Sequence, residues 1–320
     1  MTVIGIEGGV SRDHLVNVDN GAEFNVPGGP GVYASLASLL AVRWLEASAH
    51  PSALPSAEVR VFGEGADTAI DEMLSNAGTN TSWLPICVST PTLWILTSAT
   101  GRRIIRADIV SGHELGPDSD EYTPTLPTPS SFYTGLDALL LCSPRDSSAD
   151  IEQDTLVAVD PDQREIARRG WGYFEELAET ATLFLPSRVQ LTQLGSDHWK
   201  VAQELRRRTG RSVVARADAE GCLVLPFAGG AWHVPAPLTR VVDTTGAGDS
   251  HAAALVSALS SPLGRDDLVR SAAIASLVGA LTVSDWGPRA LLRTSPEGLG
   301  GIDSALAHLT ITERNTGATS

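Results

Sequence analysis

The chemistry this chain could perform is concentrated in Val241-Val242-Asp243-Thr244-Thr245-Gly246-Ala247-Gly248-Asp249-Ser250. Asp249 is a carboxylate set directly behind a Gly-Ala-Gly turn. It stands ahead of His251 to Leu259 (HAAALVSAL), an Ala/Leu-rich stretch that reads as a helix. A glycine turn at a helix N-terminus leaves backbone N–H groups unpaired and aims the positive end of the helix dipole at the same spot, which makes an anion site. A carboxylate there stays ionised and could act as general base beside a bound phosphate. These parts are what phosphoryl transfer to an alcohol requires. The plainer reading of the same residues is an Asp that only caps the helix.

Elements must bring other groups to this turn. Val241 and Val242 read as the end of a strand leading into it. Thr2 to Ile6 is a short β-branched run expected to be a buried first strand, and it leads to Ser11-Arg12-Asp13. Ser11 and Asp13, two apart, share a face of an extended chain. His14 to Val26 alternates and turns at Gly21, which predicts a hairpin in a partly exposed sheet. Pro27-Gly28-Gly29-Pro30-Gly31 then opens an apolar helix over Val32 to Leu45, and paired glycines let the backbone come close to a ligand. Tyr33 in that helix could stack on a ring, donate its hydroxyl, or simply face the core.

Thr92 to Ile109 reads as two strands around Thr100-Gly101. Its Arg102, Arg103 and Arg106 could meet a phosphate or an acidic substrate, two of the three being expected as edge charges that discourage pairing. Residues 116–131 are rich in Pro, Ser and Thr and read as a surface loop. From residue 132 the pattern becomes strand–helix repeats, with strands at Ala138–Cys142, Leu156–Val159 and Ala181–Leu185, helices at Trp199–Arg208 and Asp267–Val283, and an edge hairpin at Cys222–Leu225 and Trp232–Val234. Such a run argues for a mainly parallel sheet covered by helices.

Composition narrows the function classes. The chain has 320 residues, 42% hydrophobic and 19% charged, enough for a substantial core, and is read as a single unit over 1–320 with a frayed tail at 311–320. A formal net charge of −15 disfavours nucleic acid and anionic membrane as partners. Cys87, Cys142 and Cys222 are scattered, so neither disulfides nor zinc is indicated. The first residues lack a basic segment followed by an apolar one, and no apolar run approaches the roughly 18 residues of a membrane span, so a cytoplasmic enzyme is expected.

The run from Asp243 to Asp249 resembles the C-terminal signature of the ribokinase/PfkB carbohydrate kinase family, and Gly28-Gly29 resembles its N-terminal signature. The resemblance covers roughly residues 2 to 290. It implies a ribokinase-like three-layer α/β/α fold, with a small β lid near 14–26 and 92–110. It further implies an ATP-dependent kinase acting on a hydroxyl of a sugar or sugar-like molecule, with magnesium. By the same resemblance Asp249 is the base and the Gly246, Ala247 and Gly248 backbone the anion hole. Ser11, Asp13, Gly28, Gly29 and Tyr33 fall at the acceptor, and Ser187, Arg216, Asp218, Gly221, Thr244, Gly246 and Gly248 at the nucleotide. Asp243 and Thr245 resemble a monovalent-cation site suited to potassium.

Five positions depart from the family pattern. Tyr33 stands where the family has Asn. Ser187 and Gln190 replace its Asn-x-x-Glu, whose Glu orders water around magnesium, and Arg216 with Asp218 replaces a small residue and a glycine. An amide holds a hard dication less firmly than a carboxylate, so Gln190 predicts an altered magnesium dependence. These departures leave two alternatives open: a nucleoside kinase, with Tyr33 as a base platform, and a non-catalytic nucleotide or sugar sensor built on the same fold. An exposed lid sheet also offers a surface for a homodimer.

Overall fold

The computed structural model describes residues 1–49, 57–87, 89–98, 101–106, 114–115, 126–144, 151–261, 264–265 and 267–314. Fourteen strands occur among them. In chain order they are β1 (Thr2–Glu7), β2 (Ser11–Asn17), β3 (Gly21–Gly28), β4 (Ala57–Phe62), β5 (Thr92–Ser98), β6 (Gly101–Arg106) and β7 (Glu114–Leu115). There follow β8 (Ala138–Cys142), β9 (Leu156–Asp160), β10 (Leu183–Phe184), β11 (Ser212–Arg216), β12 (Cys222–Leu225), β13 (Ala231–Val234) and β14 (Thr312–Arg314).

Nine strands form one sheet in the order β14-β13-β12-β11-β10-β9-β8-β1-β4. The strands from β4 across to β11 are parallel, and β12 to β14 extend the sheet as antiparallel edge strands. Alternation along each strand splits the core into two layers. Ile4, Ile6, Leu140, Ala158 and Val214 face a layer shared with helices Pro30–Ala49, Ala247–Ser260 and Leu268–Thr282. Val3, Leu139, Val157, Val159 and Val213 face the other, covered by helices Trp171–Leu177 and His198–Thr209. This is the helix-covered, mainly parallel sheet that the repeats predict, in the three-layer α/β/α arrangement that the family resemblance implies. Ser38 and Ser257 hydrogen-bond at 2.6 Å inside the first layer and lock the two helices that carry the glycine turns.

The second sheet has the order β3-β2-β5-β6-β7. Leu15, Val26, Leu93, Ile95 and Ile104 form its inner face and pack on Trp286. Two further ties fix this sheet over the central motif. Asn17 and Asn20 donate to the Val242 carbonyl at 3.2 and 2.9 Å, and Arg289 makes a bidentate pair with Glu23.

The structure corrects some expected boundaries. Val241 and Val242 are not a strand: the backbone N–H of Val242 bonds the Val283 carbonyl, and Asn17 and Asn20 take its C=O, so these groups are spent outside any strand ladder. The helix after the motif starts at Ala247, not at His251. Thr312–Arg314, expected within a frayed tail, pairs with β13, and Arg314 lies over the Trp199 ring at 5.5 Å. Thr100, residues 107–110 of the expected lid, 116–125 of the expected loop and 315–320 of the expected tail lie outside the described residues.

Candidate active site

The Ala247–Ser260 helix begins with Gly246 as its N-cap, in the left-handed region at φ +76°, and no side chain caps it. Asp249 sits inside the first turn and does not cap the helix. A glycine N-cap has no side chain to offer the first-turn amides, and a helix start of this kind suits an anion. Gly246 is required twice over. Its φ favours glycine, and a Cβ there would lie 2.1 Å from Cδ1 of the Tyr33 ring.

Where the acceptor is expected, β2 and β3 pair Ser11 with Gly28 and Asp13 with Val26. Ser11 Oγ donates to Asp13 Oδ1 at 2.7 Å, and both residues are buried. Gly28 makes room for this carboxylate, since a Cβ at Gly28 would be 1.9 Å from Asp13 Oδ2. Asp13, Gly29, Tyr33, Thr245, Gly246 and Asp249 all line one cleft of about 100 Å³.

Tyr33 is buried to 1% exposure, and its hydroxyl has no hydrogen-bond partner. Burial pushes its pKa well above the ordinary phenol value, with the charges of Asp243, Asp13 and Asp249 adding to the effect and Arg102 opposing it. Gly246 packs against the Cγ–Cδ1–Cε1 side of the ring, so what Tyr33 offers the cleft is its hydroxyl more than a stacking face.

The expected nucleotide residues divide. Arg216, at the end of β11, donates to the Gly248 carbonyl and to Asp160 Oδ1, each at 2.6 Å, and bridges by backbone to Ser187. Burial works against its charge, yet the Asp160 carboxylate overcomes this and leaves the pKa raised. Arg216 is thus built into the wall behind Gly248, where it anchors the turn. Ser187 and Gln190 form a capping box: Ser187 Oγ accepts from the Gln190 amide, and Gln190 Oε1 accepts from the Ser187 amide at 2.6 Å. Gln190 Nε2 donates to the Pro161 carbonyl at 2.6 Å. The Gln190 oxygen expected to face a magnesium water shell is turned to its own helix start. Asp218 is exposed, has φ +51°, and pairs with Arg188 at 2.6 Å. Gly221 lies beyond it in the same turn, and Thr244 is an exposed residue of the motif.

Asp243 is 2% exposed, and its Oδ1 accepts from Thr245 N at 3.1 Å and Thr245 Oγ1 at 2.9 Å. Burial raises its pKa despite these bonds. No group of three or more His, Cys, Asp or Glu that could hold a metal ion occurs among the described residues. No described helix is long and apolar enough to cross a membrane.

Cys142, Ser143, Asp160, Leu93 and Ile95 also line the cleft and were not among the expected site residues, and Arg102, one of the three arginines that the sequence offers to a phosphate or an acidic substrate, lines it with them. Cys142 ends β8, Ser143 follows it, and Asp160 ends β9. The carboxyl ends of parallel strands are where open α/β sheets bind ligands, and that rule would have found all three. Ser143 holds φ +56°, a strained value for a non-glycine residue, at the same edge.

Residues 169–295 match the family model described as pfkB family carbohydrate kinase. An uncharacterized sugar kinase of Archaeoglobus fulgidus is 31% identical over 140 residues, 43% of this chain and 54% of that protein. Aminoimidazole riboside kinase of Salmonella typhimurium is 34% identical over 128 residues, 37% of this chain and 40% of that protein. The chain thus spans about half the length, or less, of these curated relatives. The crystal structure of aminoimidazole riboside kinase from Salmonella enterica, complexed with aminoimidazole riboside and an ATP analogue, superposes with a TM-score of 0.66. It is 20% identical and covers 95% of this chain and 100% of that one, a likeness of fold.

Proposed function

We propose that this chain, which belongs to the ribokinase/PfkB carbohydrate kinase family, transfers the γ-phosphoryl group of ATP to a hydroxyl of a sugar or sugar-like small molecule. One observation carries the reading: Asp249, in the first turn of a helix with no side-chain cap, opens on a cleft that the buried Asp13 also lines. The acceptor is held by Asp13, which Ser11 orients, and its reacting hydroxyl faces Asp249. As that oxygen bonds to the γ-phosphorus, Asp249 takes its proton, and the bond from the γ-phosphorus to the bridging oxygen breaks to release ADP. The Gly246–Gly248 amides meet the charge on the transferred group.

Magnesium is part of this reading as an ion carried by the nucleotide phosphates and their waters. The donor set fits no directly bound dication, because Asp160 is paired with Arg216 and Gln190 is spent in its capping box. The buried Asp243 with Thr245 is read as a monovalent-cation site, which predicts higher activity in potassium than in sodium. The whole chain is read as one kinase unit with the β2–β7 sheet as its lid, working in the cytoplasm with its three thiols free. His14, Phe24 and Trp94 cluster on the outer face of that lid, with Phe24 58% exposed, and this surface is the candidate for a homodimer.

The test is nucleotide consumption with magnesium and potassium against hexoses, pentoses and nucleosides, for wild type and Asp249→Asn. Acceptor-dependent turnover that falls about 100- to 10,000-fold in Asp249→Asn supports the kinase. Tight ATP binding with no turnover on any acceptor would replace it with the sensor reading.

A further inference from the structure

We propose that the acceptor is an anionic polyol, carrying a carboxylate or a phosphate that the lid residue Arg102 binds while a hydroxyl elsewhere on it faces Asp249. This deepens the kinase reading and rests on it for the identity of the reaction. Arg102 lies on β6, opposite Thr97 of β5, and lines the same cleft as Asp13 and Asp249. Alternation along β6 places 102 and 104 on one face, where Ile104 is buried in the inner core of the lid, while Arg103 is exposed on the other.

Arg102 is the one cation among the described residues lining the cleft, against three carboxylates, Asp13, Asp160 and Asp249. Asp160 is already paired with Arg216, and Asp13 accepts from Ser11. A neutral polyol is served by carboxylates that accept from its hydroxyls, whereas an anion beside Asp13 and Asp249 would be repelled without a compensating charge. A guanidinium is the group whose fork matches a carboxylate or phosphate. Its charge is felt at the cleft floor, since it opposes the rise in pKa that burial imposes on both Tyr33 and Asp243. The buried, unpartnered Tyr33 hydroxyl on the same cleft is a second sign that a polar ligand completes this wall.

Phosphoryl transfer to such an acceptor forms one O–P bond at its hydroxyl, breaks the bond from the γ-phosphorus to the bridging oxygen and passes the proton to Asp249. The product carries two anionic groups, one on the lid side and one at the glycine turn.

The competing role for Arg102 is a latch that ties the lid to the floor carboxylates whatever the acceptor. Matched acceptors separate the two: ribose, ribonate and ribose 5-phosphate, and glucose, gluconate and glucose 6-phosphate, each assayed for kcat and KM. The wild type is expected to prefer an anionic member at least about 10-fold in kcat/KM. Arg102→Gln should raise KM for that member about 100-fold and collapse the preference, with kcat changed much less, Arg102→Lys should restore part of it, and Arg103→Gln should keep it. Equal losses on neutral and anionic acceptors, or a wild-type preference for the neutral sugars, would overturn the proposal while leaving the kinase standing. Calorimetry on Asp249→Asn reads acceptor binding without turnover, and the carboxylate and phosphate probes show which anion is held. If no acceptor is phosphorylated yet an anionic probe binds Asp249→Asn and is lost in Asp249→Asn/Arg102→Gln, the kinase reading fails and the anion subsite stands. No binding by either anionic probe overturns the subsite.

Discussion

The Arg216 guanidinium donates to the Gly248 carbonyl oxygen at 2.6 Å, so the residue directly before the proposed base is held from behind by a buried cation. The same guanidinium is 2.6 Å from Asp160 at the end of β9. Two sheet strands and the start of the Ala247–Ser260 helix are thereby joined through one side chain.

Removing that side chain should be costly. Arg216→Met leaves Asp160 with a poorly solvated, unpaired charge, and breaking such a buried pair costs about 3–5 kcal/mol. Urea unfolding should show this loss. A second change, Asp160→Leu, should return much of the stability while kcat stays low, because Gly248 is still unheld. A loss below about 1 kcal/mol for the single variant would show that the pair is no anchor.

A related prediction concerns Gly246. Alanine there must adopt φ +76° and place its Cβ 2.1 Å from the Tyr33 ring, so Gly246→Ala should lose about 2–4 kcal/mol through strain and overpacking together. Gly246→Ala with Tyr33→Leu should recover the part due to the ring and keep the part due to φ. Thermal unfolding of the four proteins of that cycle separates the two; full recovery would mean that backbone strain is negligible.

These two residues also mark how far the sequence could be read. The Gly-Ala-Gly-Asp run and the strand–helix repeats declare themselves through local spacing, because a turn and a helix start are made by neighbours in the chain. The Ser11–Asp13 pair is likewise local, two residues apart on β2. What spacing could not supply is the partner brought by the fold. Nothing near Arg216 in sequence announces Asp160, 56 residues away, or the Gly248 carbonyl that it reaches across the sheet edge. Arg102 was one of three similar arginines until β6 set it and Arg103 on opposite faces. Gln190 stands where the family has Glu, yet its amide is turned inward by Pro161, a neighbour that the end of β9 delivers.

That inward turn gives a prediction opposite to simple restoration of the family carboxylate. In Gln190→Glu the donor Nε2 becomes an oxygen 2.6 Å from the Pro161 carbonyl and 3.5 Å from Asp160 Oδ1, so an attraction becomes a repulsion. The variant should lose about 1–3 kcal/mol of stability and gain nothing in magnesium affinity. Melting and magnesium titrations of activity check both halves; a stable protein with a lower magnesium requirement would show that the side chain can swing to the phosphates.

The last prediction concerns acid. His251 is buried in the Ala247–Ser260 helix with neither ring nitrogen hydrogen-bonded, and burial, helped by the Arg216 charge, lowers its pKa to about 3. In the unfolded chain the imidazole titrates near 6.5, as an exposed histidine does. Above that pH the group is neutral in both states and has no effect on the balance. As pH falls from about 6.5 towards 3, the unfolded chain takes up a proton that the native state refuses, so stability must fall with pH. At about 1.4 kcal/mol per unit, this one residue costs about 2 kcal/mol by pH 5. His251→Leu removes the titration and leaves no polar atom unpaired. It should match wild type within about 1 kcal/mol at pH 7 and exceed it at pH 5. Parallel urea unfolding at the two pH values decides the matter, and equal losses in both proteins would place the acid sensitivity elsewhere.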